Sequence, residues 1–216
     1  MQLSRLAPLT GVGGIAGVIF GLAIDNFPNG SYDDAQVAQW FADNGTARWI
    51  VSGASIALGG TLLLVFAAVL AVRIEQAGAG PVSAKVAHTA GTAWAILTMI
   101  GGAMWLAAPV AVDMFDAKPT RALMYGAGPA YATLVSVCAF AAAVLAAALS
   151  TAAWHTRLLP RWLATAGFPA AVLMLANTLL PMAVITLWYA AVAIVLTRRS
   201  TLGATRSATD ALPQPT

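Results

Sequence analysis

The chain reads as an all-α integral membrane bundle of six transmembrane helices with one short extracytoplasmic amphipathic helix. Three observations predict this. Hydrophobic residues make up 60% of the 216 residues and charged residues only 9%. A soluble domain carries about 25% charged residues, so this chain cannot cover a water-facing surface and lipid has to be its main solvent. Between Leu6 and Leu196 the charges sit at or near the ends of apolar tracts, and the two signs fall on opposite sides of the zig-zag those tracts trace. A span needs roughly 20 apolar residues, so this length suits about six spans and leaves no room for a second folded unit.

The first span covers about 6–24, with Arg5 before it and Asp25 after it. No clear small-residue cleavage site precedes the polar loop, so the tract is read as a retained span rather than a signal peptide. Gly13, Gly17 and Gly21 recur every four residues and share one helical face. Such a face lets another backbone approach closely, in this chain or in a partner. Residues 25–47 form the longest polar loop, with Asp25, Asp33, Asp34 and Asp43. Ser31 followed by Asp34 resembles a capping box with Asp in place of Glu or Gln, and Asn44-Gly45 is a helix stop. Between them Val37, Trp40 and Phe41 share a face opposite polar Asp34, Gln36, Gln39 and Asp43. This predicts a short helix lying on the membrane surface or capping the bundle.

The second span, about 49–72, lies between Arg48 and Arg73, and a turn composition follows from Gln76 to Pro81. Ser83 is a fair N-cap for the third span, about 84–108, which Pro109 ends or kinks. Asp113, Asp116, Lys118 and Arg121 mark the next loop. The fourth span, about 123–153, is long, and Gly126, Gly128 and Pro129 predict an irregular first turn. A basic turn follows from Trp154 to Arg161, with Pro160 at a helix-start position. From Trp162 to Thr197 there is no charge. One helix of that length would measure about 54 Å, against a bilayer core of about 30 Å. Two short spans are therefore expected, about 162–178 and 181–197, turning near Asn177 to Pro181, with a kink at Pro169 in the first. The tail, 200–216, is rich in Ser, Thr, Ala and Pro and reads as disordered and cytoplasmic.

Threading six spans puts Arg5, Arg73, Lys85, Arg157, Arg161, Arg198, Arg199 and Arg206 on one side and Arg48, Lys118 and Arg121 on the other. The positive-inside rule makes the first side cytoplasmic, with both termini inside. Trp49 and Trp105 then fall near the outer interface, and Trp154 and Trp162 near the inner one, the depth that amphipathic rings prefer.

Chemical handles are few. No ionisable residue falls at a span centre, which counts against a proton-coupled pump but not against a carrier of neutral molecules. Cys138 is the single cysteine, inside an apolar tract. It excludes an intrachain disulfide or a Cys-based zinc site and reads as a small buried hydrophobe. His88 and His155 fall near the cytoplasmic ends of spans three and four. A haem would need deeper ligands and a zinc ion more of them, so both are read as interfacial. Asp25, Asp113 and Asp116 are candidates for an outer cleft that binds a cation or does acid–base work; helix capping and solvation are the simpler explanation of all three. Asn177 reads as a cap at the turn between spans five and six. No catalytic residue, metal ligand or cofactor is assigned. The net charge of +3 does not signal nucleic acid, because the basic residues lie at tract ends and form no patch. Asn29-Gly-Ser31 and Asn44-Gly-Thr46 match the glycosylation sequon on the outer side, but the Ala/Gly-rich composition is bacterial.

Three stretches carry a family resemblance. These are the short helix AQVAQWFADNGTAR (Ala35 to Arg48), the end of span two FAAVLAVRI (Phe66 to Ile74), and LLPRWLATAG (Leu158 to Gly167) opening span five. Together they resemble uncharacterised actinobacterial multi-pass membrane proteins, a family defined only as a domain of unknown function. The resemblance covers nearly the whole chain short of the tail. It implies six helices in a bacterial plasma membrane and transfers no catalytic or ligand residue. The functional expectation is a non-enzymatic plasma-membrane protein acting through helix–helix contact with a membrane-protein partner or a second copy. The alternatives are a small carrier or channel for a weakly polar or lipidic molecule, and a membrane enzyme using the outer carboxylates.

Overall fold

Helix α1 (Leu9–Ile24) opens the fold, and the short helix α2 (Asp34–Asn44) follows it. Two long helices come next, α3 (Ala47–Gln76) and α4 (Pro81–Phe115). After a loop come α5 (Arg121–Tyr125) and α6 (Ala127–Ala132), then a π-helical turn at Thr133–Val137 that leads into α7 (Cys138–Thr156). Helices α8 (Arg161–Met174) and α9 (Leu179–Asp210) complete the chain. This computed structural model describes residues 7–24, 31–125, 127–175 and 179–210, and among them there is no strand.

Helices α3 and α4 and the stretch Arg121–Thr156 are each long and apolar enough to cross a membrane, and α1 is a shorter apolar helix. Their outward faces are apolar as well. Leu58 is 62% exposed and Phe140 58%, and Val65, Ile96, Ile100 and Val144 are exposed beside them. A continuous apolar exterior is costly in water and costs nothing against acyl chains.

The helices form a closed ring. Helix α1 packs on α3, α3 on α4, α4 on α7, α7 on α8, α8 on α9, and α9 returns to α1. In lipid the hydrophobic effect does not drive helices together; close backbone approach and interhelical hydrogen bonds do. Both are present. Glycines let α3 meet its neighbours: a Cβ on Gly60 would stand 2.8 Å from the Met99 backbone nitrogen, and one on Gly102 2.6 Å from that of Ala57. Gly167 lets α8 approach until a Cβ there would overlap the Ser150 hydroxyl of α7. Ser52 Oγ donates to the Gly21 carbonyl at 2.7 Å. Trp188 Nε1 donates to the Leu163 carbonyl at 2.9 Å, and Tyr189 Oη to that of Ala142 at 2.7 Å.

Two side-chain contacts tie loops at opposite ends. At one end Asp34 Oδ1 accepts from the Arg121 backbone N–H at 2.7 Å. At the other, Arg199 Nη1 donates to the carbonyls of Arg157 at 2.7 Å and Leu158 at 2.9 Å. The first contact seats α2 as a cap on the bundle. Val37 and Phe41 are buried beneath it against Trp49, Ile56 and Trp105.

Several details differ from the sequence expectation. The cap of α2 is Asp33, not Ser31: its carboxylate accepts from the Gln36 N–H at 2.8 Å and Gln36 Oε1 accepts from the Asp33 N–H at 2.9 Å. Pro109 neither ends nor interrupts α4, which continues to Phe115; a buried proline is tolerated where neighbouring helices cover the freed backbone. Helix α4 starts at Pro81, with Gly80 rather than Ser83 before its first turn. Trp49 and Trp105 are not lipid-interface rings. They are 1% and 4% exposed, because α2 lies over them and the Trp40 and Phe41 rings pack on Trp49 at 6.2 and 5.6 Å. Trp154 and Trp162 are exposed, at 51% and 65%. The last helix runs to Asp210, into the tail expected to be disordered. Asp25, Asn29, Gly126 and Asn177 lie outside the described residues, as do 211–216.

Candidate functional site

The ring surrounds a small chamber of about 50 Å³ that reaches the exposed Leu22 of α1. Its wall takes residues from each member of the ring. Ile15 and Val18 come from α1, Leu63 from α3, and Trp94 and Thr98 from α4. Leu134 comes from the π turn, Cys138 from the start of α7, Met174 from the end of α8, and Ile185 with Thr186 from α9. Leu63 and Thr98 stand near the midpoints of α3 and α4, so the chamber sits at mid-depth.

Local backbone irregularity builds this wall. A π turn carries one extra residue per turn and shifts the side chains that follow it. Here the Cys138 N–H reaches back to the Thr133 carbonyl, five residues earlier. Opposite the turn, Gly101 of α4 leaves room for Leu134: a Cβ there would stand 2.5 Å from Leu134 Cγ. The turn therefore advances into α4 where α4 has no side chain, and Cys138 faces Thr98.

The polar content of the chamber is low and internally matched. Thr98 Oγ1 donates to the Trp94 carbonyl at 2.8 Å and stands 3.7 Å from Cys138 Sγ. Thr98 is 2% exposed and Cys138 4%. Apart from Thr186 and Met174 the remaining wall is aliphatic, with the Trp94 ring stacked on Tyr189 at a centroid distance of 4.8 Å. One water needs roughly 10–15 Å³ and several polar partners. There is volume here for a few waters, but the wall favours apolar atoms. An apolar cavity of about 150 Å³ takes up benzene, so this chamber admits only something slimmer unless the helices part.

The residues singled out in the sequence fall elsewhere. Gly17 and Gly21 face α3 of the same chain: Cβ atoms there would stand 3.1 Å from the Ser55 carbonyl oxygen and 2.6 Å from that of Ser52. Gly13 meets only the end of the Leu62 side chain, at 3.2 Å. Gly14, which the four-residue spacing passes over, also meets the α3 backbone: a Cβ there would stand 2.8 Å from the Gly59 carbonyl oxygen. Asp113 and Asp116 lie at the end of α4 and are exposed. Asp113 receives the Thr46 hydroxyl at 3.4 Å, and Asp116 closes the helix in the left-handed region at φ 53°. Asp25 lies outside the described residues. His88 and His155 are both exposed, on α4 and α7. Among the described residues no group of three or more His, Cys, Asp or Glu is placed to hold a metal ion.

Sequence reasoning took Cys138 as a buried small hydrophobe and did not single out Thr98. Each helix contributes one to three residues to the chamber, so no stretch of sequence carries a signal for it. No protein-family model, curated protein or solved structure matches the chain.

Proposed function

We propose that this chain is a six-span bacterial plasma-membrane protein, both termini cytoplasmic, that binds a small apolar or weakly polar molecule where its helices converge. It works as a carrier or receptor for that molecule, without chemistry. The observation that carries this reading is the mid-depth chamber, with wall residues from every member of the ring and a mostly apolar lining that holds a hydroxyl–thiol pair and the Thr186 side chain. A ligand there touches all the helices at once, so its arrival or departure biases how they pack. The six-span threading is supported by the two end ties. Arg199 binds the Arg157–Leu158 turn, and Asp34 binds the Arg121 end, which are the basic and acidic sides of the charge count.

The contact reading has less support. Gly17 and Gly21 are covered by α3, so that seam is not free for a partner. For the carboxylate reading, Asp113 and Asp116 are exposed at the end of α4, and Asp113 receives the Thr46 hydroxyl. Cys138 gives the test, because it is the only thiol. In native membranes a small uncharged alkylating reagent should modify Cys138, and a charged reagent of the same reactivity should not. Equal rates with both would mean a water-filled path and a channel, and would contradict a dry binding chamber.

A further inference from the structure

A second feature lies on the lipid-facing surface, apart from the central chamber. Lys85, in the second turn of α4, stands on the ridge between two apolar grooves. One groove, of about 410 Å³, runs between α4 and α7 and is lined by Val86, Ala93, Phe140 and Val144. The other, of about 360 Å³, runs between α3 and α4 and is lined by Ala68, Val72 and Ala84. Both volumes fall in the range of ligand clefts, about 300–1,000 Å³. Lys85 lines both grooves, and His88, one turn further along the same face, lines the second.

We infer that the two grooves and Lys85 form a binding site for one anionic diacyl phospholipid. The two acyl chains lie on either side of α4, and the headgroup phosphate sits on the Lys85 ammonium. Charge and shape argue for this occupant together. Lys85 is exposed and makes no ion pair or hydrogen bond with another described residue. Glu75 also lines the second groove without pairing with it. A lysine at the end of an apolar groove lays its stem along the acyl region and holds its charge at headgroup depth. A zwitterionic lipid would bring a cationic group back toward Lys85, whereas an anionic one brings only the phosphate. Twin grooves flanking a single cation match two chains sharing one headgroup, not a single-chain amphiphile. The inference needs the helices to be embedded in lipid, but not the central chamber to bind anything.

The test uses the full chain purified in detergent, with retained lipid counted by native mass spectrometry. Dioleoylphosphatidylglycerol and dioleoylphosphatidylcholine are supplied at equal concentration. The wild type should retain the anionic lipid about fivefold over the zwitterionic one, the weight of one lysine at an anionic surface. Lys85→Gln should erase the preference, and Lys118→Gln, in the loop beyond the other end of α4, should leave it intact. Ala141→Trp, which fills the first groove with Lys85 unchanged, should lower retention of the anionic lipid. Glycerol phosphate, a headgroup without chains, should not displace the bound lipid. Equal retention of the two lipids by the wild type would overturn the proposal, as would a preference that survives Lys85→Gln or falls equally with Lys118→Gln. Displacement by glycerol phosphate, or retention unaffected by Ala141→Trp, would mean that the chains do not occupy the grooves, and would also overturn it.

Discussion

Gly14 and Gly59 meet backbone to backbone across α1 and α3. A Cβ on Gly59 would stand 2.6 Å from the Gly14 carbonyl oxygen, and a Cβ on Gly14 2.8 Å from that of Gly59. The obstruction is backbone on both sides, so neither helix can yield by turning a side chain. Gly59→Leu should therefore cost about 1–3 kcal/mol or more through overpacking. Gly13→Ala, which meets only the flexible Leu62 end, should stay within about 0.5 kcal/mol of wild type. Reversible unfolding in mixed micelles measures both. Equal costs at the two positions would contradict the assigned helix face.

Tyr189 is wholly buried, and its hydroxyl reaches the Ala142 carbonyl at 2.7 Å. Removing only the hydroxyl, with Tyr189→Phe, should cost about 0.6 kcal/mol and no more than about 1.7, the scale of interhelical hydrogen bonds in bilayers. Tyr189→Ala also removes the ring stacked on Trp94, and should cost about 3–5 kcal/mol. The same unfolding assay separates them.

Helix α2 is held by its own cap and by one long-range tie. Asp33→Ala removes the carboxylate that accepts from Gln36, and should cost about 1 kcal/mol of local helix stability. Asp34→Ala releases the Arg121 N–H. Hydrogen exchange should speed up at residues 34–37 in the first variant and at 121–124 in the second, with α3 and α7 unchanged. If exchange rises throughout the bundle instead, α2 is integral to the core and not a cap.

The all-helical class was legible because it rests on composition and tract length, which are sums over many residues. The start of α2 was misread by two positions, since Ser31 and Asp33 both carry a capping oxygen and only Asp33 has Gln36 three residues on. Gly17 and Gly21 of the glycine spacing lie against the α3 backbone, but a spacing of four drifts from the 3.6-residue helical turn, so at the start of α1 it is Gly14 that meets the α3 backbone while Gly13 meets only the Leu62 side chain. Pro109 was read by a rule for water-exposed helices, whereas here neighbouring helices enclose it. The chamber was not legible at all: Thr98 and Cys138 lie 40 residues apart, and the π turn that aligns them has no sequence signature.

Topology has its own test. Reporter fusions at Asn44, Gly78, Lys118, Arg157 and Ser207 should read outside, inside, outside, inside and inside. An external Ser207 would break the six-span threading and move Arg198 and Arg199 to the wrong side of the charge count.

The chamber is proposed to hold a small apolar or weakly polar molecule. The most direct measurement is mass spectrometry of small molecules released on denaturing the protein purified from its native membrane. The wild type is compared with Cys138→Met, whose flexible side chain fills the chamber. A species should be released from the wild type in near-stoichiometric amount and lost from Cys138→Met, with both proteins equally folded. Identical release from the two proteins, or no such species from either, would contradict the proposal.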